Sequence, residues 1–161
     1  MKRSLALVFI ITLALNCIFC VALIQPAEVQ SFDTIYIRDD GSVEGTNFIE
    51  RRDNTYPFLN NISGSIVISK DFITLNGSGY ALGGTADSSQ KGISLSNRKN
   101  VTVTNLVIMN YFIGMSCGGN ASNITILKNH ISNCGIGVEF LGSSNNLVKY
   151  NTSKTMILML H

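Results

Sequence analysis

Past Val29 the sequence has no stretch in which apolar residues recur every three to four positions, so an amphipathic helix is not expected anywhere after the first thirty residues. Charge is also scarce. Lysine and arginine number 12 against 10 acidic residues, and Lys2 and Arg3 fall in the leader, so the chain beyond it has a formal charge of zero. A neutral surface carries no electrostatic footprint for nucleic acid, and nucleic acid is excluded as a partner. Only Cys117 and Cys134 follow the leader, too few for a disulfide-stapled scaffold.

The leader is the one long apolar run. Met1-Lys2-Arg3 precedes a stretch from Leu5 to Leu23 interrupted only by Thr12 and Asn16. A basic start, an apolar centre and small residues at Ala22 and Ala27 match a signal peptide over residues 1–27. About 20 apolar residues also suffice to span a bilayer, so an uncleaved anchor is the alternative, and the membrane is a partner only in that case. The residues before Cys17 and Cys20 do not form a lipoprotein box. Either reading places Glu28 onward outside the cytoplasm: secreted, periplasmic or on the cell surface.

What the sequence does contain is a repeat. GISLSNRKNVTVTNLVIMNYFI from Gly92, GMSCGGNASNITILKNHISNCGI from Gly114 and GVEFLGSSNNLVKYN from Gly137 can be superposed, with spacings of 22 and 23 residues. A shift of 23 lays Asn100 on Asn123, Val101-Thr102-Val103 on Ile124-Thr125-Ile126, Ile108 on Ile131 and Asn110 on Asn133. A divergent unit of 28 residues begins at Gly64, its excess lying in the loop from Gly83 to Gln90. Within units the apolar residues alternate, as in Ile93/Leu95 and Val101/Val103, which is the strand period.

Asn, Gly and Ser separate these short β-branched runs, and such residues accept the left-handed backbone of tight corners. Three strands and three corners in about 23 residues close one coil, and stacked coils pair each strand with its equivalents above and below. The expected fold is all-β: a parallel β-helix (solenoid) of about three to four coils over residues 64–151. Two inward columns follow, Ile93/Met115/Val138 and Leu95/Cys117/Phe140. Asn100 with Asn123, and Asn110 with Asn133, are candidates for structural amide ladders at the corners.

Residues 28–63 read as an N-terminal β-hairpin cap, with turns at Asp39-Asp40-Gly41 and Asp53-Asn54, because a solenoid's open edge needs cover. Residues 152–161 read as an aberrant or truncated tail, since Ser153 and Lys154 stand where apolar strand residues are expected.

GISLSNRKNVTVTNLVIMN, NASNITILKNHISN, IYIRDDGSV and DFITLNGSGYAL together resemble the secreted right-handed β-helix repeat proteins of the pectin-lyase-like fold, most closely the NosD-type group. The resemblance covers Thr34 to Asn151 and implies right-handed coils. Its motifs speak for architecture and little for activity. That fold also hosts polysaccharide lyases, hydrolases and epimerases, and the NosD-type group takes its name from an accessory protein for copper-enzyme maturation.

Glycoside hydrolysis needs two carboxylates across the scissile bond. Asp39, Asp40, Asp71, Asp87 and Glu139 are the candidates, and no two share a strand face in neighbouring coils. The acidic and histidine motifs of polygalacturonases and uronan epimerases are missing as sets. A lyase would want Ca²⁺-ligating carboxylates beside a basic residue, and Arg98 and Lys99 have no such neighbours. Copper favours clusters of Met, His and Cys. Here Met115 and Cys117 fall on inward columns and His130 stands alone on an outward position. No catalytic, cofactor or metal residue is therefore assigned, and calcium and copper stay as weak alternatives.

Sequons begin at Asn61, Asn76, Asn100, Asn120, Asn123 and Asn151, of which Asn61 and Asn120 are the better candidates for N-glycosylation. The expectation for function is a non-catalytic surface scaffold binding a polysaccharide or another cell-surface macromolecule. The alternatives are a fragment of a carbohydrate-active enzyme with its site in other coils, and a copper-related accessory protein.

Overall fold

A computed structural model of the chain describes residues 33–154 and the backbone of Met156–Leu160. The leader expected over residues 1–27 lies outside the described residues. Among the described residues there is no helix, and so none long and apolar enough to cross a membrane.

The strands follow in chain order as β1 (Asp33–Ile37), β2 (Val43–Glu44), β3 (Thr55–Pro57), β4 (Ile62–Ile68), β5 (Ile73–Asn76) and β6 (Ala81–Gly83). Next come β7 (Lys91–Ser94), β8 (Val101–Thr104), β9 (Val107–Met109), β10 (Ile113–Gly118), β11 (Thr125–Leu127) and β12 (His130–Ser132). The last are β13 (Ile136–Leu141), β14 (Leu147–Lys149), β15 (Thr152–Ser153) and β16 (Met156–Leu160). A first sheet stacks β1, β4, β7, β10, β13 and β16 in parallel. A second stacks β3, β5, β8, β11 and β14. The third stacks the start of β4 with β6, β9, β12 and β15, and the length of β4 joins it to the first. The chain is a parallel β-solenoid of about four turns.

Stacking identical laps puts like residues over like. In the first sheet Ile35, Ile66, Ile93, Met115 and Val138 form one inward column, and Ile37, Ile68, Leu95, Cys117 and Phe140 the other. Tyr56, Leu75, Val103 and Ile126 do the same in the second sheet, and Leu82, Ile108 and Ile131 in the third. All are buried. Each such side chain contributes about 1.5–3 kcal/mol by leaving water. Val101 lies beside Ile124, one residue before the Thr102–Thr125 pair.

The corners repeat as faithfully as the strands. Phe72, Asn100, Asn123 and Asn145 occupy one position in successive laps with φ of 58°, 55°, 55° and 56°. Asn105, Lys128 and Tyr150 share another at 52°, 55° and 57°, and Asn110 and Asn133 a third at 64° and 50°. Asparagine suits these sites because its short polar side chain tolerates the left-handed region. A glycine column runs near the start of the first sheet's strands β7, β10 and β13. A Cβ on Gly92 would stand 2.5 Å from the Gly114 carbonyl oxygen, and one on Gly114 2.6 Å from that of Gly137.

The N-terminal region differs from the hairpin cap expected over 28–63. β1 and β3 are already solenoid rungs, paired in parallel with β4 and β5. The cover is the segment between them. β2 pairs antiparallel with the outer edge of β1, and the Ile49–Phe58 and Arg52–Thr55 bridges close that of β3. The turns at Asp39-Asp40-Gly41 and Asp53-Asn54 make these reversals. At the other end the strands Thr152–Ser153 and Met156–Leu160 stay in the solenoid: β15 pairs with β12 and β16 with β13. Ser153 breaks the apolar alternation of side chains, but parallel pairing is satisfied by backbone groups alone.

Candidate functional site

The corner asparagines fall into two kinds. Asn133 Nδ2 donates to Asn110 Oδ1 at 2.5 Å, one amide to the next across a lap. Asn100 and Asn123 stack in the same way through their backbones, with Asn100 N donating to Ser122 O and Asn123 N to Ser144 O. Among the described residues no bond joins their side-chain amides. What that corner requires is a residue at home at positive φ.

A second set of asparagines, of which the sequence pointed only to Asn151 and only as a sequon, works inside the coil. Asn129 is buried; its Oδ1 accepts from Leu106 N at 3.0 Å and its Nδ2 donates to Val103 O at 2.9 Å and to Asn151 Oδ1 at 3.1 Å. Asn151 Oδ1 also accepts from Asn129 N, and its Nδ2 donates to Ile126 O. Asn146 Oδ1 accepts from Ile124 N. The 23-residue shift hides this set because Leu106 falls on Asn129. These amides are spent on the fold.

Of the sequon residues, Asn61 and Asn120 are both exposed. Asn61 Oδ1 accepts from Ala81 N at 2.9 Å, whereas among the described residues nothing bonds to the Asn120 side chain. Asn151 is occupied through both its amide atoms.

The carboxylates are scattered. Asp40 accepts from the Ser42 amide and hydroxyl, which hold it below the ordinary carboxylate range, and Asp87 is lowered by the same arrangement with Ser89. Asp71 Oδ1 accepts from Lys99 N and lies 3.5 Å from Arg98, clipping one lap to the next. Glu139 is on the outward face of the first sheet, where Ser116 Oγ donates to it at 2.9 Å and Lys91 Nζ donates to Ser116 Oγ at 3.2 Å. This Lys91–Ser116–Glu139 line crosses three rungs. Among the described residues no three His, Cys, Asp or Glu side chains gather as a metal site. Met115 and Cys117 are buried in the core, where burial and then the Glu139 charge push the Cys117 thiol up to about 12. His130 is exposed, paired in register with Val107 and Thr152.

The outward face of the second sheet is built differently. Thr55, Thr74, Thr102 and Thr125 are register partners in four successive rungs, and Leu147 follows in the fifth. All four threonines are half-buried, and among the described residues none of their hydroxyls is engaged in a side-chain hydrogen bond. Asn76, Thr104 and Leu127 form the flanking outward column, with Lys149 next; their register partner in the first rung, Pro57, is buried. The sequence signal for this column is Thr102 falling on Thr125, flanked by apolar residues whose alternation dominates the pattern.

No protein family, curated protein or solved structure matches the chain.

Proposed function

We propose that the chain is an exported, non-catalytic scaffold that binds glycans or other surface macromolecules through an outward strand face. Export rests on the basic and apolar leader. The finer likeness to NosD-type, pectin-lyase-like proteins belongs to the same proposal and rests on the quoted repeat motifs.

The observation that carries the reading is the distribution of acidic groups. Hydrolysis of a glycosidic bond requires two carboxylates on either side of it. Asp40 and Asp87 are engaged within their own turns, Asp71 clips a corner, and Glu139 is bonded to Ser116. Every buried side-chain nitrogen or oxygen among the described residues has a partner within the fold, so the interior holds no polar group waiting for a substrate. A rigid array of outward strand positions remains, suited to an extended ligand.

The test is incubation of the purified chain with a panel of neutral and acidic polysaccharides, following retention of protein and release of sugar in parallel. The reading expects retention on at least one glycan with no reducing ends or unsaturated uronides released. Release of either product by the purified chain contradicts it.

A further inference from the structure

We propose that the threonine column Thr55, Thr74, Thr102 and Thr125 is the binding strip, and that its ligand is a neutral, extended polysaccharide lying along the stacking axis, across the strands. This rests on the glycan-binding reading above and narrows it to one face and one ligand class.

Three observations converge on it. The first is order. Each threonine is fixed to a strand whose next residue, Tyr56, Leu75, Val103 or Ile126, is fully buried, so the column is anchored by the core at every rung. Threonine has few χ1 options, and adjacent strands stand about 4.8 Å apart, so hydroxyl and methyl recur at a fixed spacing over about 14 Å. Binding to such a strip costs little ordering of the protein.

The second is unspent hydrogen-bonding capacity. In the first sheet the outward polar groups use one another, since Lys91 and Glu139 are both bonded to Ser116. Among the described residues the four threonine hydroxyls have no such partners. A hydroxyl both donates and accepts, and a methyl lies beside each one. A ligand that matches them must alternate hydroxyls with C–H surface at a regular interval, as a chain of sugar rings does.

The third is charge. The strip carries none, and neither do the part-exposed Asn76, Thr104 and Leu127 beside it; Lys149 enters only one rung later. An acidic polysaccharide would be met by lysine or arginine on the face itself. A neutral one is complementary.

The experiment measures retention of the full chain on cellulose, chitin and a soluble neutral β-glucan, with polygalacturonate as the acidic arm. The double variant Thr102→Val/Thr125→Val keeps the shape and strand preference while removing two hydroxyls, and is expected to weaken retention on a neutral glycan at least about tenfold. Thr102→Ser/Thr125→Ser keeps the hydroxyls and is expected to retain binding, which separates lost contacts from lost folding if the valine variant is unstable. Lys91→Ala, on the first sheet, is expected to bind as the native chain does. Native-like binding by a folded valine variant overturns the strip while leaving glycan binding intact. Retention on polygalacturonate alone overturns the neutral ligand class. Retention on none of the polysaccharides overturns both this assignment and the reading beneath it, and slowed ice growth in its place would give the column to an ice lattice.

Discussion

The laps from β7 to β12 and the lap from β13 to β15 share one backbone and differ in what fills it. In the middle laps Val101 and Ile124, Val103 and Ile126, and Ile108 and Ile131 cover each other completely. In the later lap the first of these columns passes to Asn146 and the last to Ser153, and Val148 is only partly buried. A solenoid is a one-dimensional stack, so a rung is as stable as its two neighbours make it. The comparison teaches that apolar burial sustains the middle of the molecule, whereas asparagine bonding to backbone groups carries more of the later lap.

The sharpest way to break the comparison is through the glycines. Gly114→Ala forces a Cβ to 2.6 Å from the Gly137 carbonyl oxygen, and a loss of about 3 kcal/mol is expected in urea unfolding. At Gly142, with φ 63° and the Gly119 carbonyl oxygen 3.3 Å from an added Cβ, the clash is milder and the left-handed backbone is the main term, so Gly142→Ala is expected to cost about 1 kcal/mol. Equal losses would mean the two laps are packed alike. Core truncation comes next: Ile126→Ala is expected to cost about 3 kcal/mol and Val148→Ala about 1 kcal/mol, read from the same unfolding midpoints.

Asn129→Ala removes the acceptor for Leu106 N and the donor for Val103 O, and about 2 kcal/mol should be lost. Alkaline pH offers a probe specific to the interior. The Cys117 thiol is raised from 9.0 to about 12, so above pH 9 the unfolded chain loses a proton that the folded chain keeps. Stability is full below pH 9 and falls as pH rises toward 12, by about 1 kcal/mol at pH 10, and Cys117→Val should remove that part of the slope. The smallest expected effect is a gain. Phe72 is 66% exposed at a left-handed corner that asparagine fills in the next three laps, and Phe72→Asn should stabilise by about 0.5–1 kcal/mol.

Much of this fold was legible because each lap serves as a template for the next. The coincidence of Val101-Thr102-Val103 with Ile124-Thr125-Ile126 fixes a register, and the structure pairs those residues accordingly. β1 and β3 escaped because residues 38–54 interrupt their lap, and a repeat of irregular length leaves no coincidence to find. Asn129 and Asn151 escaped because Leu106 precedes them in their column. For Asn100 and Asn123 the sequence carried the corner and not an amide bond: Phe72 takes the same backbone, as Lys128 and Tyr150 do at another corner, so positive φ is the requirement and asparagine its cheapest answer. The threonine strip was visible as a coincidence, but outward polar residues acquire meaning only once their rungs are seen stacked.

The most direct test is a methyl-labelled NMR spectrum of the folded chain. The account predicts through-space contacts linking Val101 to Ile124, Val103 to Ile126, Ile108 to Ile131 and Thr102 to Thr125. Well-resolved methyl signals without those contacts would contradict the stacked laps, and with them the threonine face.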